Sequence, residues 1–187
     1  MGSYSGTITA SADDAAQNVA NMNLTGSNIT INDATKWAGL LFKNVTIAQG
    51  DTITTAPLTV EIGSLSFDDP DVDIWAEDVD NAATFTTTNN DITNRTPTTA
   101  VVQWTASSVG TGSVVGPDLA AVIQEIVSRP GWVSGNAIAI ILAGRSTNPL
   151  RFNAYDNGSG VFATLNITSV TGGNLTKQAM YYAAMRR

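Results

Sequence analysis

The chain has no cysteine and no histidine, and each absence removes a class of chemistry. Without cysteine there is no disulfide framework, no thiolate nucleophile and no thiolate metal ligand. Without histidine, Ser-His-Asp triads and the commonest zinc sites are excluded. Cations are scarce as well: nine Lys and Arg stand against 16 Asp and Glu, a net charge of −7. No basic cluster is larger than Arg186-Arg187, so the footprint that a nucleic-acid binder needs on phosphate is missing. No apolar run reaches the roughly 18 residues of a membrane-spanning helix. The opening MGSYSGTITASADD has neither the basic nor the apolar region of a secretory leader.

What is present favours strands. Hydrophobic residues make up 43% of the 187 and charged residues only 13%, enough for a core and too few charges for a disordered chain. Apolar residues alternate with polar ones in most segments, the period of a half-buried strand. Strands are expected over 6–10, 22–31, 37–47, 52–62, 72–78, 101–105, 136–143, 150–155 and 161–168. NAIAIILA (136–143) is apolar on both faces and reads as a central strand. The expected fold is all-β, a jelly roll or β-sandwich of about nine strands forming one domain over 1–171.

One stretch departs from the period of two. In 116–130, Leu119, Val122, Ile123, Ile126 and Val127 recur at helical spacing and give a single apolar stripe. Pro117 suits a first helical position and Asp118 the positive end of the dipole. Arg129 suits the negative end, and Pro130-Gly131 stops the helix. The segment 79–98 is long, polar and rich in Thr and Asn, with Phe85 and Ile92 as its few apolar anchors. Such a segment is functional or wraps the surface. The tail, 172–187, has helical spacing in Leu175, Ala179, Tyr182 and Met185. It reads either as a helix docked on its own domain or as a contact between subunits through Tyr181, Tyr182, Met185, Arg186 and Arg187.

Two acidic groups are the candidate sites. Asp13 and Asp14 follow the first strand; Glu77, Asp78, Asp80 and Asn81 lie where a strand enters the long segment. Asp156 is a further oxygen donor or part of a turn. Clustered carboxylate and amide oxygens suit a hard cation such as calcium, the one cofactor these residues suggest. Solvated loop acids give the same pattern. Glu61, Glu77, Asp78 and Glu125 offer carboxylate pairs of the kind glycosidases use, although any acidic chain does so, and the expectation is a protein that is not an enzyme. Trp37, Trp75, Trp104 and Trp132 form either a sugar-stacking platform or core packing.

The segments SADDAAQ, GLLFKNVTIAQGDTI, DIWAEDVDNAATF and PDLAAVIQEIVSRPGW, in that order, resemble a family of jelly-roll, carbohydrate-binding-module-like β-sandwich domains. These occur in secreted proteins of environmental bacteria and in virion proteins of tailed bacteriophages. The resemblance covers about 7–167, and the part ending in Arg-Pro-Gly-Trp is its most specific. It implies a lectin-like sandwich with calcium at the acidic loops. A single leaderless, cysteine-free domain fits a phage structural protein, made in the host cytoplasm and assembled onto the particle. The expectation is therefore a capsid decoration or cement protein, with shell or tail proteins and copies of itself as partners. A glycan-binding module on a tail, fibre or bacterial surface is the alternative, with cell-surface glycans as its ligand. An extracellular filament subunit is the third reading. Nucleic acid and membrane are not expected partners.

Overall fold

The computed structural model describes residues 1–63 and 69–171. The strands are β1 (Gly2–Thr7), β2 (Asp14–Asn18), β3 (Asn21–Asn23), β4 (Asn28–Ile31), β5 (Lys36–Phe42), β6 (Thr52–Thr55), β7 (Pro57–Ile62), β8 (Asp71–Ala76), β9 (Val102–Thr105), β10 (Gly112–Asp118), β11 (Ile138–Gly144), β12 (Leu150–Asn153) and β13 (Thr164–Val170). One α-helix among the described residues, α1 (Ala120–Val127), separates β10 from β11.

The strands form two main antiparallel sheets. One runs β1-β13-β7-β10, with β6 also paired to β13; the other runs β3-β2-β5-β11-β8-β9. Leaving out β2, β3, β4, β6 and β12, the remaining eight strands, renumbered in chain order, fall in the order 1-8-3-6 in one sheet and 2-7-4-5 in the other. That is the strand order of a jelly roll. The all-β expectation holds, with thirteen strands among the described residues rather than about nine. β4 and β12 make a separate ribbon whose Ile29, Ile31, Leu150 and Phe152 add to the common core.

Alternation decides which side chains meet between the sheets. Ala38, Leu40 and Phe42 of β5, Val72, Ile74 and Ala76 of β8, and Ile138, Ile140 and Leu142 of β11 point inward from one sheet. Leu58, Val60 and Ile62 of β7 with Leu165 and Ile167 of β13 meet them from the other. The expected helical stripe is buried here too, through Leu119, Val122, Ile123, Ile126 and Val127. Trp132 lies just beyond α1, and its indole N–H donates to the Ile47 carbonyl at 3.0 Å.

A second apolar layer covers the outer face of the β5–β11–β8 sheet. Ala15, Leu41, Ala139 and Ile141 project outward and are roofed by Ala82, Phe85 and Ile92. Those three belong to the long Thr/Asn-rich segment, which is a strap over the sheet. Its backbone is tied down along its length: Ala82 N donates to Ala137 O, Phe85 N to Ala12 O and Asn90 N to Ala20 O. This is why β11 is apolar on both faces. Gly39 of β5 lies beneath Phe85, and a Cβ there would overlap the ring. Gly39→Ala is expected to lift the strap and lower stability by about 1–3 kcal/mol. Calorimetry would read this as a melting temperature lower by several degrees.

Three expectations need correction. The helix does not begin at Gly116: Gly116, Pro117 and Asp118 continue β10, and α1 is confined to Ala120–Val127. Pro117 has no N–H for a ladder, and the register of β10 on β7 shifts between Val115 and Asp118. The Asp118 carboxylate accepts from Ala56 N at 2.6 Å and Ala120 N at 3.0 Å, joining the β6–β7 bend to the helix start. The first strand spans Gly2–Thr7 rather than 6–10, because it is set by pairing with β13 from Gly2↔Ser169 to Thr7↔Thr164. β2, where the sequence reading placed an acidic pair and no strand, pairs with β5 from Asp14↔Leu40 to Asn18↔Lys36.

Candidate functional site

The four residues Glu77, Asp78, Asp80 and Asn81 do come together in space, at the point where the chain leaves β8 for the strap. Two arginines reach into this corner. Arg95 is only 9% exposed. Its Nη1 lies 2.6 Å from Glu77 Oε2 and 3.0 Å from the Ala83 carbonyl. Its Nη2 and Nε bond the carbonyls of Thr84 and Asp91 at 3.2 and 3.3 Å. The guanidinium also stacks over the Phe85 ring, 4.2 Å from its centre. One planar cation thus gathers both arms of the strap.

Arg129, past the end of α1, does the same for the start of the strap. Its Nε lies 2.7 Å from Asp80 Oδ1, and its Nη1 pairs with Asp78. Asn81 Oδ1 accepts from Ala137 N at 2.8 Å. The oxygens proposed as cation ligands are therefore turned toward guanidinium and backbone N–H groups. Among the described residues, no three carboxylates gather where a metal ion would sit. The donor set here fits arginine rather than calcium.

The other acidic group lies at the start of β2. Asp13 is fully buried; it accepts from the Thr9 hydroxyl at 2.7 Å, and the Lys43 ammonium stands 2.6 Å from its Oδ1. Asp14, 2% exposed, points into the core beside Ala154 and accepts from Tyr155 N at 2.7 Å. Burial pushes its carboxyl up to about 7, and the nearby Asp156 and Asp13 charges add to the rise, against the pull of the Tyr155 N–H. Asp156 sits in a short turn, Tyr155–Asn157, and accepts from the Ser11 hydroxyl at 3.0 Å. Asp13, Asp14 and Asp156 are thus neighbours, brought together by β2 and the chain after β12, with Lys43 the cation among them.

The carboxylates weighed as glycosidase pairs each have partners of their own within the fold. Glu61 of β7 accepts from the Ser113 hydroxyl. Glu125 of α1 accepts from Thr99 N and Ala100 N, both at 2.8 Å. Glu77 and Asp78 hold the two different arginines. Trp104 and Trp132 are buried in the main core; Trp37 and Trp75 are half-buried and pack against the layer under the strap. The tail residues Tyr181, Tyr182, Met185, Arg186 and Arg187 lie outside the described residues.

No family model and no curated protein matches this chain. Its surfaces therefore have to be read on their own. One outer face is roofed by the strap; the other, on the β1–β13–β7–β10 sheet, is uncovered among the described residues and carries Ser3, Ser5, Thr7, Asn166 and Thr168 in rows. Hydroxyls link these rows, from Ser5 to Asn166 at 2.7 Å and between Thr54 and Thr168 at 2.6 Å. Beside β1 runs an open trough of about 480 Å³, lined by Ser3–Thr7 with Lys43, Asn44 and Thr46. Sequence reasoning passed over both features, because short Ser/Thr/Gly strands carry no apolar signal.

Proposed function

We propose that this chain is a structural protein of a bacteriophage particle, a capsid decoration or cement protein that works through its surfaces. The observation that supports this reading best is how its candidate catalytic groups are used. Glu61, Glu77, Asp78 and Glu125 each hold a neighbouring segment of the fold, which is the economy of a rigid building block. The jelly roll and the resemblance to virion sandwich domains point the same way. The partners are shell proteins and further copies of the chain, met on the hydroxyl-rich face and its edges.

The test is copy number by quantitative mass spectrometry of purified particles. Copies approaching those of the major shell protein are expected. A handful per particle would move the protein to the tail and favour glycan binding there, and absence from particles would overturn the reading.

A further inference from the structure

Sheet edges expose unpaired backbone groups, and proteins blunt them with proline, charge, bulges or brevity. Most edges of this fold are treated in one of these ways. β10 carries Pro117 and a shift in register. β3 has three residues, and β4, β6, β9 and β12 have four each. β1 is the exception. It is six residues long, GSYSGT, with no proline and no charge, and its register on β13 is unbroken. Among the described residues its sole neighbour in the sheet order is β13.

The ladder shows which backbone groups face outward. Ile8 N donates to Ala163 O, continuing the register in which Gly2, Tyr4 and Gly6 stand opposite Ser169, Ile167 and Leu165. In an antiparallel pair the bonded residues alternate, so Ser3, Ser5 and Thr7 turn their N–H and C=O groups away from β13. The Thr46 hydroxyl, which reaches Ser3 O at 3.3 Å, confirms that direction. The trough along Ser3–Thr7 leaves room beside these groups.

We propose that β1 is a self-pairing edge, through which two copies of this chain join antiparallel about a two-fold axis at Ser5. This deepens the particle reading by naming a contact between copies. Charge favours this occupant at this place: with a net charge of −7, two copies repel over most of their surfaces, whereas β1 is neutral. Side-chain parity fixes the register as well. Ser5 faces Ser5 of the second copy and Ser3 faces Thr7, which bonds all three outward residues and keeps every hydroxyl on the bare face. Centring the axis on Tyr4 would bond only Ser3 and Ser5. The two sheets then become one, with a continuous Ser/Thr surface.

Sedimentation of the full chain over a dilution series up to about 0.2 mM, a range suited to small interfaces, should show a dimer. Ser5→Pro removes an outward N–H that β13 does not use, and should weaken dimerisation at least tenfold while leaving the melting temperature within a few degrees. Should that variant fail to fold, Ser5→Lys sets two ammonium groups face to face and should give a dimer that weakens at low salt. Since the chain has no cysteine, Ser5→Cys gives one thiol per copy. Its Cα atoms across the axis would stand about 5.5 Å apart, within disulfide reach. It should cross-link far faster than Val133→Cys, a thiol at an exposed site elsewhere. A monomer throughout, a dimer indifferent to both Ser5→Pro and Ser5→Lys, or equal cross-linking of the two cysteine variants would each overturn the proposal. None of these results bears on copy number in particles, so this inference and the proposed function fail separately.

Discussion

Arg95→Ala is expected to be among the most damaging single substitutions in the chain, costing about 3–5 kcal/mol and roughly 10 °C in melting temperature. The reason is what the truncation leaves behind. Glu77, 15% exposed at its side chain, loses the cation 2.6 Å away. The carbonyls of Ala83 and Thr84 lose their guanidinium donors, and Phe85 loses the group stacked on its ring. Buried acceptors without partners cost more than the bonds themselves contributed. Arg95→Lys is expected to fall between wild type and Ala, since one ammonium can reach Glu77 but cannot serve the carbonyls as a planar fork does. Thermal melts give the ranking. Limited proteolysis should show new cleavage within 80–96 first, and an Arg95→Ala protein as stable and as resistant as wild type would refute this account of the strap.

The second large effect concerns pH. Asp14 titrates at about 7 in the folded protein and near 4 in an unfolded chain. Below pH 4 both states carry the proton. Between pH 4 and 7 the folded state keeps a proton that the unfolded state has lost, so stability falls as pH rises. The fall continues above pH 4 until the folded carboxyl has itself ionised, just past pH 7. The gap between the folded and unfolded values corresponds to an upper bound of about 4 kcal/mol, and partial solvent access reduces this to roughly 2–4 kcal/mol. Asp14→Asn keeps an oxygen for Tyr155 N and removes the charge. It is expected to match wild type at pH 4 and to be the more stable protein at pH 8. Denaturant titrations at the two pH values would show it; an Asn variant that loses stability equally at both would place the ionised carboxylate among the stabilising groups instead.

The fold was legible where one periodicity held over a whole element. β7, β8 and β13 alternate cleanly, and β11 announced its central place by being apolar on both faces, since the core lies on one side and the strap on the other. The helix was legible in its stripe but not in its start. Pro117 and Asp118 have the chemistry of a helix N-terminus, and in this fold that chemistry serves a bulged strand end. β2 was missed because its Asp-Ala-Ala-Gln-Asn sequence has little strand propensity of its own. Pairing with β5 and the Gln17 side chain, which accepts from Ile92 N and Thr93 N, hold it in place. The acidic clusters were visible as clusters, but their role was not. Arg95 and Arg129 lie 18 and 51 residues from the carboxylates they meet, and no local pattern links such distant positions. The bare face and the edge of β1 were hidden for a simpler reason: they consist of serine, threonine and glycine.

The position of β13 has a consequence for how the protein comes into being. β13 lies between β1 and β7, and also supplies the pairing of β6. As the chain leaves the ribosome, β1 has no described strand to pair with until 164–169 have been made. The other sheet can complete its order as soon as β11 is out, while in this one only β7 and β10 have a partner. The last of the described strands thus acts as the closing stave of the jelly roll. Until it arrives, β1, β6 and β7 carry open strand edges that wrong partners can meet.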